Sequence, residues 1–374
     1  MAELSSASTS GAKAAPSYAS SSPAPDPDPL SASSTLTITE DLLHEYKPLS
    51  EPFDLLPSTS LTAQDLTRLT NEAYAGSPDS SYFVGLSHLY GLADLPPSAV
   101  EASKFFRSAA IQGHPDAMCA LGLILYQGYG GIGRDSKAAA LWFRKAAEQE
   151  HKHGYWLLGR AYYEGRATLA DAGDAKAGAG LAAADRNFDE AARLFGLAAE
   201  KGVPEALHHL ALMYEYGLVQ AFDDESPAEG TSPRRFKPNN RLAIKLYSEA
   251  YGLKHADSGY NLALMIAYGR GAAQDASRSM EIFRRCSLDF NHAPSMRYLG
   301  IFAANGHGMA EERADYNAAV AWFDKCARTE DPTVSSMCER ERDELKDKIN
   351  LAQREVAARA KKYDIAIEED ITPY

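Results

Sequence analysis

The chain repeats itself, and few architectures are compatible with repeats of this length. A pair of bulky apolar residues occurs six times, at spacings of 37, 52, 52, 36 and 40 residues. The pairs are Phe105-Phe106, Trp142-Phe143, Leu194-Phe195, Leu246-Tyr247, Ile282-Phe283 and Trp322-Phe323. Periods of this size are typical of arrays in which one supersecondary unit stacks on the next.

Each pair lies on a predicted helix, named helix B, whose start carries a capping residue. Seven positions before each pair stand Ser98, Asp135, Asn187, Asn239, Asp275 and Asp315. Side-chain oxygens of these types accept hydrogen bonds from the free N–H groups of a first helical turn. A small residue also stands three positions before each pair, Ala in five repeats and Ser279 in the fifth. The pattern predicts that the bulky pair, Trp142 included, packs in the core.

A second helix, named helix A, precedes each helix B and has a small residue near its centre. These residues are Gly85, Gly122, Gly159, Ala211, Ala263 and Gly300. Neither helix can bury its apolar stripe alone, so the units must stack. We therefore predict an all-α solenoid of about six helix–turn–helix repeats. The two 52-residue spacings contain insertions at residues 168–184 and 222–238, which we place on one edge of the array, between helix A and helix B.

The second repeat shows which known family the units resemble. Residues 117–149 read A-x-x-x-L-G-x-x-x-Y-x-G-x-G, then Asp135-x-Lys137-Ala138, then Trp142-Phe143-x-Lys145-Ala146-Ala147. This is similar to the Sel1-like repeat, a relative of the tetratricopeptide repeat. The resemblance covers residues 79–329 and weakens in the first and fifth units. It implies a right-handed α-solenoid that acts as an adaptor or scaffold for other proteins. We predict no enzyme activity and no cofactor.

Four further segments flank the array, which is predicted to span residues 79–332. Residues 1–35 consist mainly of Ser, Ala, Pro and Asp, and we predict disorder because they cannot bury enough apolar surface. Residues 36–78 are interpreted as an extended segment followed by a capping helix with Thr62 as its N-cap. Residues 333–363 are predicted to form a C-terminal capping helix, because Leu345, Ile349, Ala352 and Val356 form one apolar stripe. Residues 364–374 form an acidic tail.

The amino-acid composition further narrows the classes of function that the chain can have. The net charge of −13 argues against nucleic-acid binding, which depends on clustered Lys and Arg. The sequence has no apolar run of about 18 residues, so we predict no membrane span. The scattered Cys119, Cys286, Cys326 and Cys338 favour free buried thiols in a reducing compartment over a disulfide framework. We predict a cytoplasmic protein; the alternative is a mitochondrial assembly or signalling factor of the same fold.

Two patterns could indicate other chemistry. Gly128-x-Gly130-x-x-Gly133 matches a dinucleotide fingerprint, but a helix precedes it where that site needs a strand. His151, His153, His208 and His209 lack a Glu or Cys at the spacing of a helical metal site. Several histidines, including His114 and His292, also recur close to the turn between units, which favours a structural role. An enzyme or metal protein is therefore only an alternative hypothesis.

The resemblance also indicates where a partner would bind. Sel1-like and tetratricopeptide arrays usually bind along the concave face lined by helix A. When each helix A is placed in the tetratricopeptide frame by its small central residue, the positions predicted to face outward are Tyr82, Trp156, Arg160, His208, His209, Glu215, Tyr260, Asn261, Arg297 and Tyr298. Aromatic and Arg residues are typical of interaction hot spots, while the alternative is that several of them pack against the neighbouring helix A. Ser232, in Ser232-Pro233-Arg234-Arg235, is a candidate phosphorylation site.

Overall fold

The computed structural model describes residues 61–167, 186–219, 236–308 and 313–362. Contacts divide the chain into residues 1–50 and 51–374, and every described residue belongs to the second unit. The predictions for residues 1–35 and 364–374 lie outside the described residues, as do most of both insertions and Ser232.

The described residues form fourteen α-helices and one short 3-10 helix, without a strand among them. After α1 (Ala63–Tyr74), the helices come in six pairs, each a helix A followed by a helix B. The pairs are α2 (Pro78–Tyr90) and α3 (Ala99–Ile111), α4 (Pro115–Gln127) and α5 (Ser136–Glu148), α6 (Lys152–Tyr163) and α7 (Phe188–Glu200), α8 (Pro204–Glu215) and α9 (Asn240–Gly252), α10 (Ala256–Ala267) and α11 (Ala276–Asp289), and α12 (Ala293–Asn305) and α13 (Tyr316–Cys326). The 3-10 helix is Tyr129–Gly131, and α14 (Pro332–Lys362) ends the series. Each helix A packs on its own helix B, and each one after α2 also packs on the helix B before it. The predicted all-α solenoid with a C-terminal capping helix is confirmed.

All six predicted caps of helix B are confirmed. In each, the side chain accepts a hydrogen bond from the backbone N–H three residues further on; for Asp135 the donor is Ala138, at 2.9 Å. Both insertions also fall between a helix A and its helix B, as predicted.

The core contact inside a repeat places an aromatic ring on the small residue of helix A. A Cβ atom added to Gly122 would lie 2.5 Å from a ring carbon of Phe143, and one added to Gly85 or Gly300 would lie equally close to Phe106 or Phe323. Glycine fits these three positions because the ring occupies the space that a side chain would need, whereas the fourth and fifth repeats have Ala211 and Ala263 there. The two helices of one repeat are thus held together by the fit between an aromatic ring and a small residue.

The prediction that Trp142 packs in the core is wrong. Trp142 is half-buried, and the ammonium of Lys145 lies 4.5 Å from the centre of its ring. The second member is buried in all six pairs, as Phe106, Phe143, Phe195, Tyr247, Phe283 and Phe323, whereas the first is buried only in the third and fifth repeats, as Leu194 and Ile282. Counting from the small residue Ala139, a helical face continues at Phe143 and Ala146, which are four and seven residues on. The inward face therefore passes through Phe143.

Both ends of the array carry a closing helix. Thr62 and Asp65 form the predicted capping box at the start of α1. At the other end, α14 packs on α13 and α12. It buries Cys338 and Leu345, while all its described side chains beyond Ala352 are exposed.

The prediction of four free thiols is wrong for one pair. Cys326, the last residue of α13, forms a disulfide with Cys338 of α14, with Cα atoms 6.0 Å apart. The spacing of 12 residues gave no hint of this pair, because the turn into α14 and the docking of that helix bring the two thiols together. Cys119 and Cys286 are free and buried.

Candidate functional site

The predicted binding residues on helix A meet at the joints between repeats, where one helix A begins beside the next. The first joint is built around His114, the N-cap of α4. Its Nδ1 accepts a hydrogen bond from the backbone N–H of Ala117 at 3.2 Å, and its Nε2 lies 3.4 Å from Asp79 of the preceding helix A. Its ring stacks on Tyr82, with centroids 4.7 Å apart. One imidazole thus caps its own helix and contacts two residues of its neighbour.

The last joint has the same construction. Nδ1 of His292 accepts from the backbone N–H of Ser295 at 3.3 Å, Nε2 lies 2.9 Å from Asp257, and the ring centroid is 5.5 Å from that of Tyr260. Because Nδ1 accepts from the backbone, Nε2 must carry the proton that is donated to the carboxylate. Burial alone would raise the pKa of Asp257, but the hydrogen bond from His292 and the electrostatic influence of the neighbouring histidines outweigh it and hold the pKa far below its usual value.

The joint between the second and third repeats keeps only part of the pattern. Nε2 of His151 lies 3.0 Å from Asp116, and its Nδ1 lies 3.6 Å from the sulfur of Cys119. His151 makes no side-chain cap of α6. The contact with the acidic residue of the preceding helix A is therefore the feature shared by these three joints.

Two neighbouring histidines of α8 contact different repeats: His208 contacts the fifth repeat, whereas the ring centroid of His209 lies 5.0 Å from that of Phe195 and 5.9 Å from that of Tyr163 in the third. Nδ1 of His208 lies 2.9 Å from the hydroxyl of Ser258, and its ring centroid is 4.8 Å from that of His255, which caps α10. Burial lowers the pKa of His208 well below its ordinary value. Nδ1 of His209 donates to the carbonyl of Glu205 at 2.7 Å. Burial lowers the pKa of His209 to about 4, so both imidazoles are neutral near pH 7.

The buried charges on helix A are paired inside the array. Nε of Arg160 donates to Glu164 at 2.6 Å, and the hydroxyl of Tyr126 donates to the same carboxylate at 2.7 Å. Glu215 accepts in the same way from Tyr247 at 2.7 Å and from Arg270 at 2.8 Å. Pairing of this kind compensates the cost of burying a charge, so Arg160 and Glu215 serve the fold.

The structure separates the ten predicted binding residues into two groups. Buried in the array are Tyr82, Trp156, Arg160, His208, Glu215 and Tyr298. This corrects the expectation that these six lie on a surface, because large side chains on successive helices A fill the space between those helices. Half-buried are His209, Tyr260, Asn261 and Arg297, for which partner binding stays a prediction.

The acidic residues of the joints were not predicted, although the sequence contains a signal for them. Asp116 follows His114 by two residues, and Asp257 follows His255 by two. In each case the histidine caps the start of a helix A, and the aspartate contacts the histidine of the next repeat. A His-x-Asp pattern at helix starts is thus the sequence mark of this joint.

Two further properties concern the described part of the chain as a whole. Among its residues, no group of three His, Cys, Asp or Glu side chains is arranged to hold a metal ion. No helix within it has the length and apolar character needed to cross a bilayer.

Stacked helix pairs joined in this way define an α-solenoid repeat protein. The Sel1 repeat family model matches residues 78–114, 115–151, 178–203, 204–226, 231–255, 256–285 and 293–328, and the chain belongs to the Sel1 repeat family. These seven segments correspond to six structural repeats, because the fourth repeat is matched in two parts.

Solved structures show the same fold. A Sel1 repeat protein from Oxalobacter formigenes is 22% identical, with a TM-score of 0.56, over 71% of this chain and 92% of that one. The protective antigen c5321 of uropathogenic Escherichia coli is 20% identical, with a TM-score of 0.57, over 84% of this chain and 62% of that one. A comparison with curated proteins finds no match.

Proposed function

We propose that this chain is a scaffold that binds a partner protein along helix A of the fourth to sixth repeats. Sel1-repeat proteins generally act as scaffolds for protein–protein interactions. The proposed surface, named the helix A strip, consists of His209 on α8, Tyr260 and Asn261 on α10, and Arg297 on α12.

The observation that carries the proposal is the accessibility of these four side chains. They are the predicted binding residues that remain half-buried, and they lie on three successive helices A. Tyr260 is held by its neighbours, because its ring centroid lies 5.5 Å from that of Tyr298 and 5.8 Å from that of Phe283. A rigid aromatic residue beside an Arg is the combination that often dominates interface energy, since little side-chain entropy is lost on binding.

The test replaces Tyr260 and compares it with a matched tyrosine. Partners of the full chain are first identified by affinity purification from the native cell, and their affinities are then measured with purified proteins. Tyr260→Ala is expected to weaken binding by about tenfold or more. Tyr155→Ala is the control, because Tyr155 is also a half-buried tyrosine on a helix A but lies outside the helix A strip.

Loss of fold must be separated from loss of contact. Tyr260→Leu retains apolar packing against Phe283 and Tyr298 while removing the hydroxyl and the aromatic face, and thermal unfolding of each variant shows whether the array is intact. Unchanged affinity of both Tyr260 variants, or an equal loss with Tyr155→Ala, would place the binding surface elsewhere on the chain.

Phosphorylation of Ser232 is a separate prediction for the same function. Ser232 lies in the sequence between α8 and α9, with Asp223, Asp224 and Glu225 nearby along the chain. A phosphate adds a charge of about −1.5 to −2 at neutral pH. We expect it to modulate partner binding without abolishing it, which mass spectrometry and binding assays on Ser232→Ala would check.

A further inference from the structure

We propose that the Cys326–Cys338 disulfide is a thiol-controlled latch, which decides whether α14 stays closed on the last repeat. The site would react with a dithiol reductant.

The first observation is the place that α14 takes in the array. It packs on α13 and α12, as α6 packs on α5 and α4. It also starts like a helix A, since Pro332 occupies its first position as Pro78, Pro115 and Pro204 do in α2, α4 and α8. The carboxylate of Asp331 caps it by accepting from the backbone N–H of Val334 at 3.0 Å. In position, α14 is therefore the helix A of a seventh repeat.

The second observation is how few buried contacts hold α14, although its half-buried Val334 and Ile349 also pack on the apolar cluster of the last repeat. Helix α4 buries nine of its 13 residues, whereas α14 buries only Cys338 and Leu345 among its described side chains. Its ion pairs with the array are Arg297–Glu341, Arg342–Asp324 at 3.2 Å and Lys346–Asp324 at 3.7 Å. These groups are partly exposed, and such pairs contribute little to stability. The covalent bond therefore provides a large share of the docking of α14.

The third observation is the position of Cys326 within its repeat. Three residues after the buried aromatic of helix B, four repeats have alanine: Ala109, Ala146, Ala198 and Ala250. The fifth repeat has Cys286 there, which is a free thiol. Packing at this position thus needs only a small side chain. What distinguishes Cys326 is its bond to α14.

Reduction would proceed by thiol–disulfide exchange. A thiolate of the reductant attacks one sulfur, the S–S bond breaks, and the departing cysteine thiolate takes up a proton. The second thiol of the reductant then displaces the other cysteine. Two electrons and two protons reach the protein, and the reductant becomes a disulfide. Both protein sulfurs are buried, so attack requires α14 to open locally.

Release of α14 would expose an apolar face on the last repeat. Met296, Phe323 and Ala293 belong to the cluster that Cys338 and Leu345 cover. At every earlier joint the corresponding face is covered by the next helix A. The latch would therefore control access to a surface shaped to receive a helix.

The test measures hydrogen exchange of the full chain before and after treatment with dithiothreitol. Residues 332–349 are expected to exchange about tenfold faster or more after reduction, while residues 115–148 stay unchanged. Thiol titration in denaturant should rise from two free thiols to four, since the chain contains four cysteines and one disulfide.

Two variants make the result specific. Cys326→Ala introduces the alanine of the other repeats and should show fast exchange of residues 332–349 without reductant, as should Cys338→Ala. Cys286→Ala is the matched control, and its residues 332–349 should still respond to reduction. The proposal is overturned if these residues exchange equally in both redox states while the thiol count rises. It is also overturned if protein purified without reductant already has four free thiols.

Discussion

The contacts inside a repeat and the contacts between repeats follow different physical principles. Inside a repeat, an aromatic ring such as Phe143 lies directly on a glycine of helix A, and the fit is one of shape. Between repeats, imidazoles such as His292 connect a backbone amide to a carboxylate of the neighbouring helix A. The contact inside a repeat depends on side-chain volume, whereas the contact between repeats depends on the protonation state of the histidine. The array should therefore respond to mutation and to pH at different places.

The largest effect is expected from removing a buried ring. Phe143→Ala should lower the free energy of unfolding by about 3–5 kcal/mol, because it leaves a cavity beside Gly122 that the packed helices cannot fill. Chemical denaturation of the two proteins measures the difference. Trp142→Ala is the control, and its loss should be clearly smaller because Trp142 is half-buried. Equal losses would mean that the two members of the pair share the core.

At a joint, His292→Ala should cost about 2–3 kcal/mol, because a helix cap and a charge-assisted hydrogen bond are lost together. Hydrogen exchange should show the loss first where α10 and α12 meet. Glutamine at the same position can still donate to Asp257, so His292→Gln should recover part of the stability. If the alanine variant were as stable as the wild type, the contacts of His292 would contribute nothing to the stability of the fold.

The joints could be predicted only in part, and the reason is physical. Helix starts and small residues are local features, so Asp135 and Gly122 could be assigned their roles from spacing alone. The partner of His292 is Asp257, 35 residues away, and only the stacking of repeats brings the two together. The same holds for the Cys326–Cys338 bond, which requires α14 to dock.

The predicted binding residues show a second reason why the site could be predicted only in part from the sequence. Placing helix A in a tetratricopeptide frame assumes an open concave groove, in which Trp156 and Arg160 would face a ligand. Both are buried in the structure, because the bulky side chains on neighbouring helices A fill that groove. Spacing gives the face of a helix on which a residue lies, but the depth of the groove depends on side-chain volumes in three helices at once.

Lowering the pH from 7.5 to 5 should reduce the free energy of unfolding by about 2 kcal/mol through the protonation of His209. Its pKa in the folded state is about 4, against about 6.5 in an unfolded chain. Between these values the unfolded state binds more protons, so the stabilisation is complete above pH 6.5 and is lost as pH falls toward 4. Denaturation midpoints between pH 7.5 and 5 measure it. His209→Gln should remove this part of the dependence and leave the part that comes from His208, whose pKa burial also lowers well below its ordinary value.

The smallest loss of stability is expected from removing a cap of helix B. Asp135 is exposed, and its carboxylate accepts one hydrogen bond, from the backbone N–H of Ala138 at 2.9 Å. Asp135→Ala should therefore cost about 1 kcal/mol, the usual value of one N-cap bond.

Asp135→Asn keeps the acceptor and should cost only a few tenths of a kcal/mol. His292 also caps a helix, but its imidazole bonds the adjacent repeat as well, so the two alanine variants measure a cap without and with a contact between repeats. The excess loss in His292→Ala over Asp135→Ala is then the contribution of the joint. If urea denaturation gives the same loss for both, the bond between His292 and Asp257 adds nothing to stability, and shape alone holds the repeats together.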